Sequence, residues 1–258
     1  MKKTIAFLSL AALSLGIFSC EKNKLDENLP TQFADPSKAN LRIVNAYTSN
    51  IPAGAPGVGI TRFYAYQGTT KLTGNPLASP SVWPATSAYA AVEAGSNPLF
   101  MLLDRRVNNV YAPVAVGDTA FRETLNLTAG AAYTAFLVGV APTQEVLLSE
   151  DNITPSAERT YKIRVANLVP DTEKALNIFS RRQQRTIASN VNYKQIGSFI
   201  ELPVPAQSDT LDVFAAADPT VRLYSLNNFF PANKRVYTLY AQGRVGFRNE
   251  ALSVYTNR

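Results

Sequence analysis

One series of short sequence words occurs twice in this chain, in the same order, and that repetition restricts what the chain can fold into. Arg42-Ile43-Val44-Asn45 returns as Arg164-Val165-Ala166-Asn167. Tyr133-Thr134, with Gly139 five residues on, returns as Tyr237-Thr238 with Gly243. Leu125-Asn126 precedes the first of these pairs and Leu226-Asn227 the second, while Tyr89-Ala90-Ala91-Val92 corresponds to Phe199-Ile200-Glu201-Leu202. Strand-like words recur singly by chance, but an ordered series marks a duplicated structural unit. The opening words are offset by 122 residues and the closing ones by 104. The first copy therefore carries longer loops, with Ile51 to Gly59 and Pro80 to Pro84 as the insertions.

The words belong to strands. Leu41–Asn45, Ile60–Tyr66, Tyr89–Val92, Leu99–Leu103, Phe121–Leu127, Tyr133–Val140 and Glu145–Ser149 are short apolar or alternating runs separated by Gly, Pro, Asn and Asp. Seven such runs in about 110 residues are the pattern of a β-sandwich. Ala131 to Ala141 is apolar or small for eleven residues, too short to cross a bilayer, and reads as a buried strand. Helix-forming residues at 3.6 spacing are missing over any long stretch. The expected fold is all-β: two tandem immunoglobulin-like β-sandwich domains at 40–152 and 158–258, joined near Asp151 to Arg159 with Pro155 as a breaker.

The strand openings L-R-I-V-N-A (residues 41–46) and I-R-V-A-N-L-V-P-D (residues 163–171), with a following short strand at Leu176 to Ser180 and a late Y-T strand, resemble the domain of unknown function 4397 family. In the first copy Thr48-Ser49-Asn50 stands where the family has Pro-Asp. The resemblance spans roughly residues 40–258. It implies tandem copies on a bacterial envelope lipoprotein and assigns no catalytic residues.

The N-terminus supports the same location. Lys2 and Lys3 precede an uncharged run from Ile5 to Phe18, the length of a secretory signal rather than a membrane span. Ser19-Cys20 then offers a small residue before the only cysteine in the chain. Lone thiols are liabilities in oxidising compartments unless modified. Residues 1–19 are expected to be a lipoprotein signal peptide, Cys20 the lipidated residue, and 20–39 a flexible tether, since 21–39 are polar with two prolines. The expected partner of the anchor is outer-membrane lipid. The charged stretch Glu21 to Glu27 resembles the surface-export signal of lipoproteins in one Gram-negative phylum, which points to surface display.

The chain has no histidine. Ser-His-Asp and Cys-His nucleophiles and imidazole metal sites are thereby removed. No phosphate-cradling glycine motif occurs, and a formal charge of +6 without a polybasic block gives no sign of nucleic acid binding. A glycan hydrolase needs only two carboxylates, so Glu150-Asp151 and Asp209 with Asp212 are noted; the first pair reads as a solvated turn, the second as a weak Ca²⁺ pattern lacking the usual Gly and Glu. Arg181 to Arg185 reads as a basic hairpin tip. Aromatics are the stronger lead. Arg62, Tyr64 and Tyr66 share one strand face, with Phe63 and Ala65 turned to the core, and Trp83 stands in an expected loop between Pro80 and Pro84. These four are the candidate ligand contacts. The sequence thus predicts a noncatalytic binding or adhesion lipoprotein for a glycan or envelope protein, with no cofactor and no metal. The alternative is a structural or accessory subunit of an outer-membrane uptake or export assembly.

Overall fold

The computed structural model describes residues 35–48, 62–85, 88–103, 106–107, 110–111, 119–140, 143–170, 175–243 and 250–258. The expected signal segment, Cys20, the expected tether up to residue 34 and the expected insertion at 51–59 lie outside the described residues, as do Ile60 and Thr61.

Among the described residues the chain is all-β, with no helix. The strands of the first half are β1 (Lys38–Asn45), β2 (Phe63–Gln67), β3 (Thr70–Lys71), β4 (Ser81–Trp83), β5 (Ala90–Glu93), β6 (Gly95–Leu103), β7 (Arg106–Val107), β8 (Val110–Tyr111), β9 (Thr119–Leu127), β10 (Ala132–Val140) and β11 (Thr143–Glu150). Those of the second half are β12 (Thr160–Asn167), β13 (Leu176–Ser180), β14 (Arg185–Val191), β15 (Ile200–Pro203), β16 (Asp209–Ala215), β17 (Asp218–Phe229), β18 (Val236–Gln242) and β19 (Ala251–Thr256). All seven strands expected in the first half form. β1 begins three residues before Leu41, so the tether's last residue, Ala39, is buried in the fold.

Each half has two sheets around one core, and in the first half β7 and β8 form a further two-stranded sheet. In the first, β11-β10-β1-β4, with β5 also paired to β1, faces β3-β2-β6-β9. Leu41 and Ile43, Phe63 and Ala65, Leu99 and Met101, and Ala135 and Leu137 meet between them. In the second, β15-β12-β18-β19 faces β14-β13-β16-β17 around Ile163, Ile178, Val213 and Leu239.

The repeated words occupy matching places. Arg42 pairs with Thr134 across a parallel β1–β10 ladder, and Arg164 with Thr238 across a parallel β12–β18 ladder. Asn45 donates its side-chain amide to the Leu77 carbonyl and accepts from Tyr47 N–H; Asn167 does the same with Val191 and Val169. The Tyr133 hydroxyl accepts the Thr128 N–H, and the Tyr237 hydroxyl the Ala232 N–H. Gly139 and Gly243 both sit at positive φ, +112° and +89°, which a side chain would oppose. The 104-residue offset of the tyrosines carries Leu125 to Phe229, both buried in their cores, rather than to Leu226.

The central strands explain the long apolar run. Tyr133, Ala135 and Leu137 of β10 enter the first core, while Phe136 and Val138 enter a separate cluster with Val44, Ala46, Ala166, Leu168, Tyr240 and Tyr255. β10 is therefore buried on both faces and loses the polar alternation of a half-exposed strand. That third cluster joins the two halves, and both supply it from the same positions: Val44 and Ala166, Ala46 and Leu168, Phe136 and Tyr240. Each fully buried large side chain there contributes about 1.5–3 kcal/mol by leaving water.

Candidate functional site

The expected aromatic strand alternates as its period requires. Phe63 and Ala65 are buried in the first core, and Tyr64 and Tyr66 are half-buried on the outer face of β3-β2-β6-β9. Arg62, also half-buried, immediately precedes β2. The hairpin from β2 to β3 turns at Gly68 and brings Lys71 opposite Tyr66. The Lys71 ammonium stands 4.0 Å from the centroid of the Tyr64 ring, a cation–π contact at a solvent-facing site. Tyr64 and Tyr66 thus belong to one sheet, with Arg62 just before its strand β2, and Lys71 is a member of the group that sequence reasoning missed.

Trp83 lies elsewhere. It is on β4, paired with Ile43, rather than in a loop, and its half-buried side chain packs against the first core. Its strand is in the opposite sheet from Tyr64 and Tyr66. Burying an indole there covers core surface, so this residue does not extend the tyrosine face.

The acidic candidates are engaged within the protein. Asp209 accepts hydrogen bonds from the Ser180 hydroxyl and the Arg182 N–H. Asp212 accepts from Arg181 at 2.6 and 3.0 Å and from Ser225 at 2.6 Å. Burial alone would raise its carboxyl, but those hydrogen bonds and the charges of Arg181 and Arg222 hold it below the usual value. Arg181, the first residue of the basic hairpin tip, is therefore committed to Asp212. The described residues contain no group of three His, Cys, Asp or Glu placed to hold a metal.

Asp151 corrects the expectation of a solvated turn. Its side chain is fully buried at the junction of the halves, ion-paired to Arg164. It also accepts hydrogen bonds from the Tyr89 and Thr134 hydroxyls, each at 2.6 Å. The Tyr255 hydroxyl donates to Thr134, the Asn257 amide donates to Tyr89, and the Thr238 hydroxyl donates to Asn257. Arg164 also donates to Thr238 and to Ser149. Burial, followed by the Asp151 charge, pushes both Tyr89 and Tyr255 above the ordinary phenol value, so both stay neutral donors.

The same logic runs in the reverse direction. Arg42 of the first half donates to the Thr256 carbonyl and to the Ala88 carbonyl, and its guanidinium lies 4.5 Å from the Tyr89 ring and 4.7 Å from the Tyr255 ring. Arg164 lies 4.6 Å from the Phe199 ring, the counterpart of Tyr89. Each half's arginine thus reaches the end of the other half's last strand. A signal for this junction was present in the sequence: a charged residue repeated inside an otherwise apolar strand word is seldom buried without a partner.

No protein-family model matches the chain, and no curated protein matches it. Among solved structures, the Bacillus anthracis TIE protein is similar at 8% identity and a TM-score of 0.22, over 80% of this chain and 34% of that one. A candidate cell adhesion protein from Bacteroides fragilis is similar at 10% identity and a TM-score of 0.18, over 85% of this chain and 96% of that one. The chain spans about a third of the length of the first of these. Likenesses this weak define neither fold nor ligand.

Proposed function

We propose that this protein is a noncatalytic binding or adhesion protein of the cell envelope, lipid-anchored through Cys20 and displayed at the surface. The observation that carries the reading is the outer face of β3-β2-β6-β9, where Tyr64, Tyr66 and Lys71 stand together on rigid strands. Tyrosine rings on a sheet supply flat, stiff surface for a sugar ring or a partner side chain. The engagement of Asp151, Asp209 and Asp212 in internal hydrogen bonds supports the absence of a carboxylate-based hydrolytic role.

The unlipidated protein tested on a glycan array and in envelope pull-downs should retain ligands that the Tyr64→Ala/Tyr66→Ala variant loses. Equal retention by the two proteins overturns the assignment of the face. Anchoring is tested separately: Cys20→Ala should abolish labelling by a palmitate analogue, and added proteinase K should remove the wild type from intact cells. Protection of the wild type until lysis would place it on the periplasmic side.

A further inference from the structure

One end of the second half carries exposed arginines around an exposed phenylalanine. Several turns meet there. In the turn between β13 and β14 the Gln183 amide donates to the Pro203 carbonyl, and the Arg182 N–H donates to Asp209, which is paired with Phe229 at the end of β17. Beyond Phe229, the Asn233 side chain accepts the Arg159 N–H, and the Arg159 carbonyl accepts the Val204 N–H. Arg159, Arg182, Arg185 and Arg235 are all exposed. Among the described residues none of these four is in an ion pair, and the Arg182 guanidinium reaches the Ser208 carbonyl at 3.5 Å. Arg181 and Lys234 at the same end are committed to Asp212 and Glu158. Glu201 also lies here, accepting from the Thr160 hydroxyl and the Ala157 N–H. The cations outnumber the carboxylates. Phe230, beside the buried Phe229, is 62% exposed, and its ring finds no place in the core.

The chain enters the fold at this same end. The two halves point the same way: Thr134, near the start of β10, meets Tyr255, which is opposite Thr238 near the start of β18. Glu145, opposite Val138 near the end of β10, is ion-paired to Lys194, whose N–H donates to Asn167 at the end of β12. The Lys38 carbonyl accepts the Gly130 N–H as the Thr160 carbonyl accepts the Lys234 N–H, and Asp35 lies beside Lys38. Cys20 is 15 residues before Asp35, a stretch that spans at most about 50 Å however it runs. We infer that this end docks on an anionic bilayer surface, with Phe230 entering the headgroup boundary and Arg159, Arg182, Arg185 and Arg235 meeting lipid phosphates. Docking here rests on the reading of Cys20 as the lipid anchor. An aromatic ring set among cations suits the interface between headgroups and acyl chains, and each cation near a negatively charged leaflet adds to the attraction. A soluble acidic partner could meet the same charges, but an anchored chain holds a bilayer within reach of this end at all times.

The test is co-sedimentation of the unlipidated protein with vesicles at millimolar lipid, made of phosphatidylcholine alone or with a third of it replaced by phosphatidylglycerol. Binding is expected to the anionic vesicles and not to the neutral ones, and it should weaken as salt rises. Arg182→Gln/Arg185→Gln/Arg235→Gln should weaken it by about tenfold or more, and the corresponding triple lysine variant should keep it, since the attraction follows charge. Phe230→Ser should weaken it several-fold, and Tyr64→Ala/Tyr66→Ala should leave it unchanged. Thermal melts of all variants should match the wild type, since the substitutions are at the surface. Equal binding to both vesicles, or binding to neither, overturns the docking. A dimer in solution that Phe230→Ser dissolves would assign the patch to a second copy and overturn it too. The palmitate-analogue label is read independently: a labelled protein whose unlipidated form ignores anionic vesicles keeps the anchor and loses the docking, whereas an unlabelled one that binds them loses the anchor and keeps the surface.

Discussion

Asp151 receives three donors while fully out of water, and each donor comes from a different strand environment: Arg164 from β12, Thr134 from β10 and Tyr89 from the segment before β5. Asn257 occupies the corresponding place in the second half, since Asp151 N–H donates to Ala132 and Asn257 N–H to Val236, the first residues of β10 and β18. One copy is thus a carboxylate and the other an amide, and the charge sits on the side that faces Arg164. Removing it leaves a buried guanidinium without its counter-charge. Asp151→Ala is expected to cost about 3–5 kcal/mol, read from the urea midpoint, and Asp151→Asn less, because the amide oxygen still accepts from Thr134. Similar losses for the two variants would mean that charge plays no part. The repeated arginine was legible in the sequence. Its partner was not, because nothing in a single Glu-Asp pair distinguishes a solvated turn from a carboxylate folded under another strand.

At the scale of elements, the strands with a buried face were legible and the narrow edges were not. β1 and β10 carry long runs of buried residues. β3 and β4 are two and three residues long and exist only because a longer neighbour supplies the hydrogen bonds, so Trp83 looked like part of a loop. Lys71 was missed for the same reason, since its place beside Tyr64 depends on a two-residue strand. The hairpin between β10 and β11 is set by Gly139. A Cβ there would lie 2.3 Å from the Thr143 carbonyl oxygen at a φ of +112°. Gly139→Ala is expected to destabilise the protein by about 2–3 kcal/mol, combining backbone strain with a displaced β11. A thermal melt within a degree of the wild type would show that the hairpin can shift at little cost.

At the scale of the whole molecule, the lack of histidine and the buried tyrosines define how stability varies with pH. Asp212 is held below its usual 3.8 in the fold, so its contribution is present above that value and is lost as pH falls through the lower folded one. Burial pushes Tyr47, Tyr193 and Tyr240 from 10 up to about 12, and burial with the nearby Asp209 charge does so for Tyr161. Their neutral forms are retained when the unfolded chain ionises, so stability is full below pH 10 and falls between there and about 12. Urea midpoints should be flat from about pH 5 to 9. A step between pH 6 and 8 would contradict this. The join between the halves combines buried Asp151 and Ser156 with exposed Thr154, Pro155 and Glu158. Proteolysis between 152 and 159 should give two fragments that separate in detergent but migrate together on a native gel, held by the junction. Separation on the native gel would show that the covalent link is what keeps the halves associated.

The junction also fixes an order in time. Arg42 finds one of its carbonyl partners 214 residues further along the chain, at Thr256, and Asn257 closes the hydroxyl network through Tyr89. However early the first sheets form during synthesis, the arginine between Tyr89 and Tyr255 has only one of its two rings until Tyr255 has emerged. The first half must therefore carry an unfinished surface while the second is made, and its completion waits on the slow closure of a very long loop.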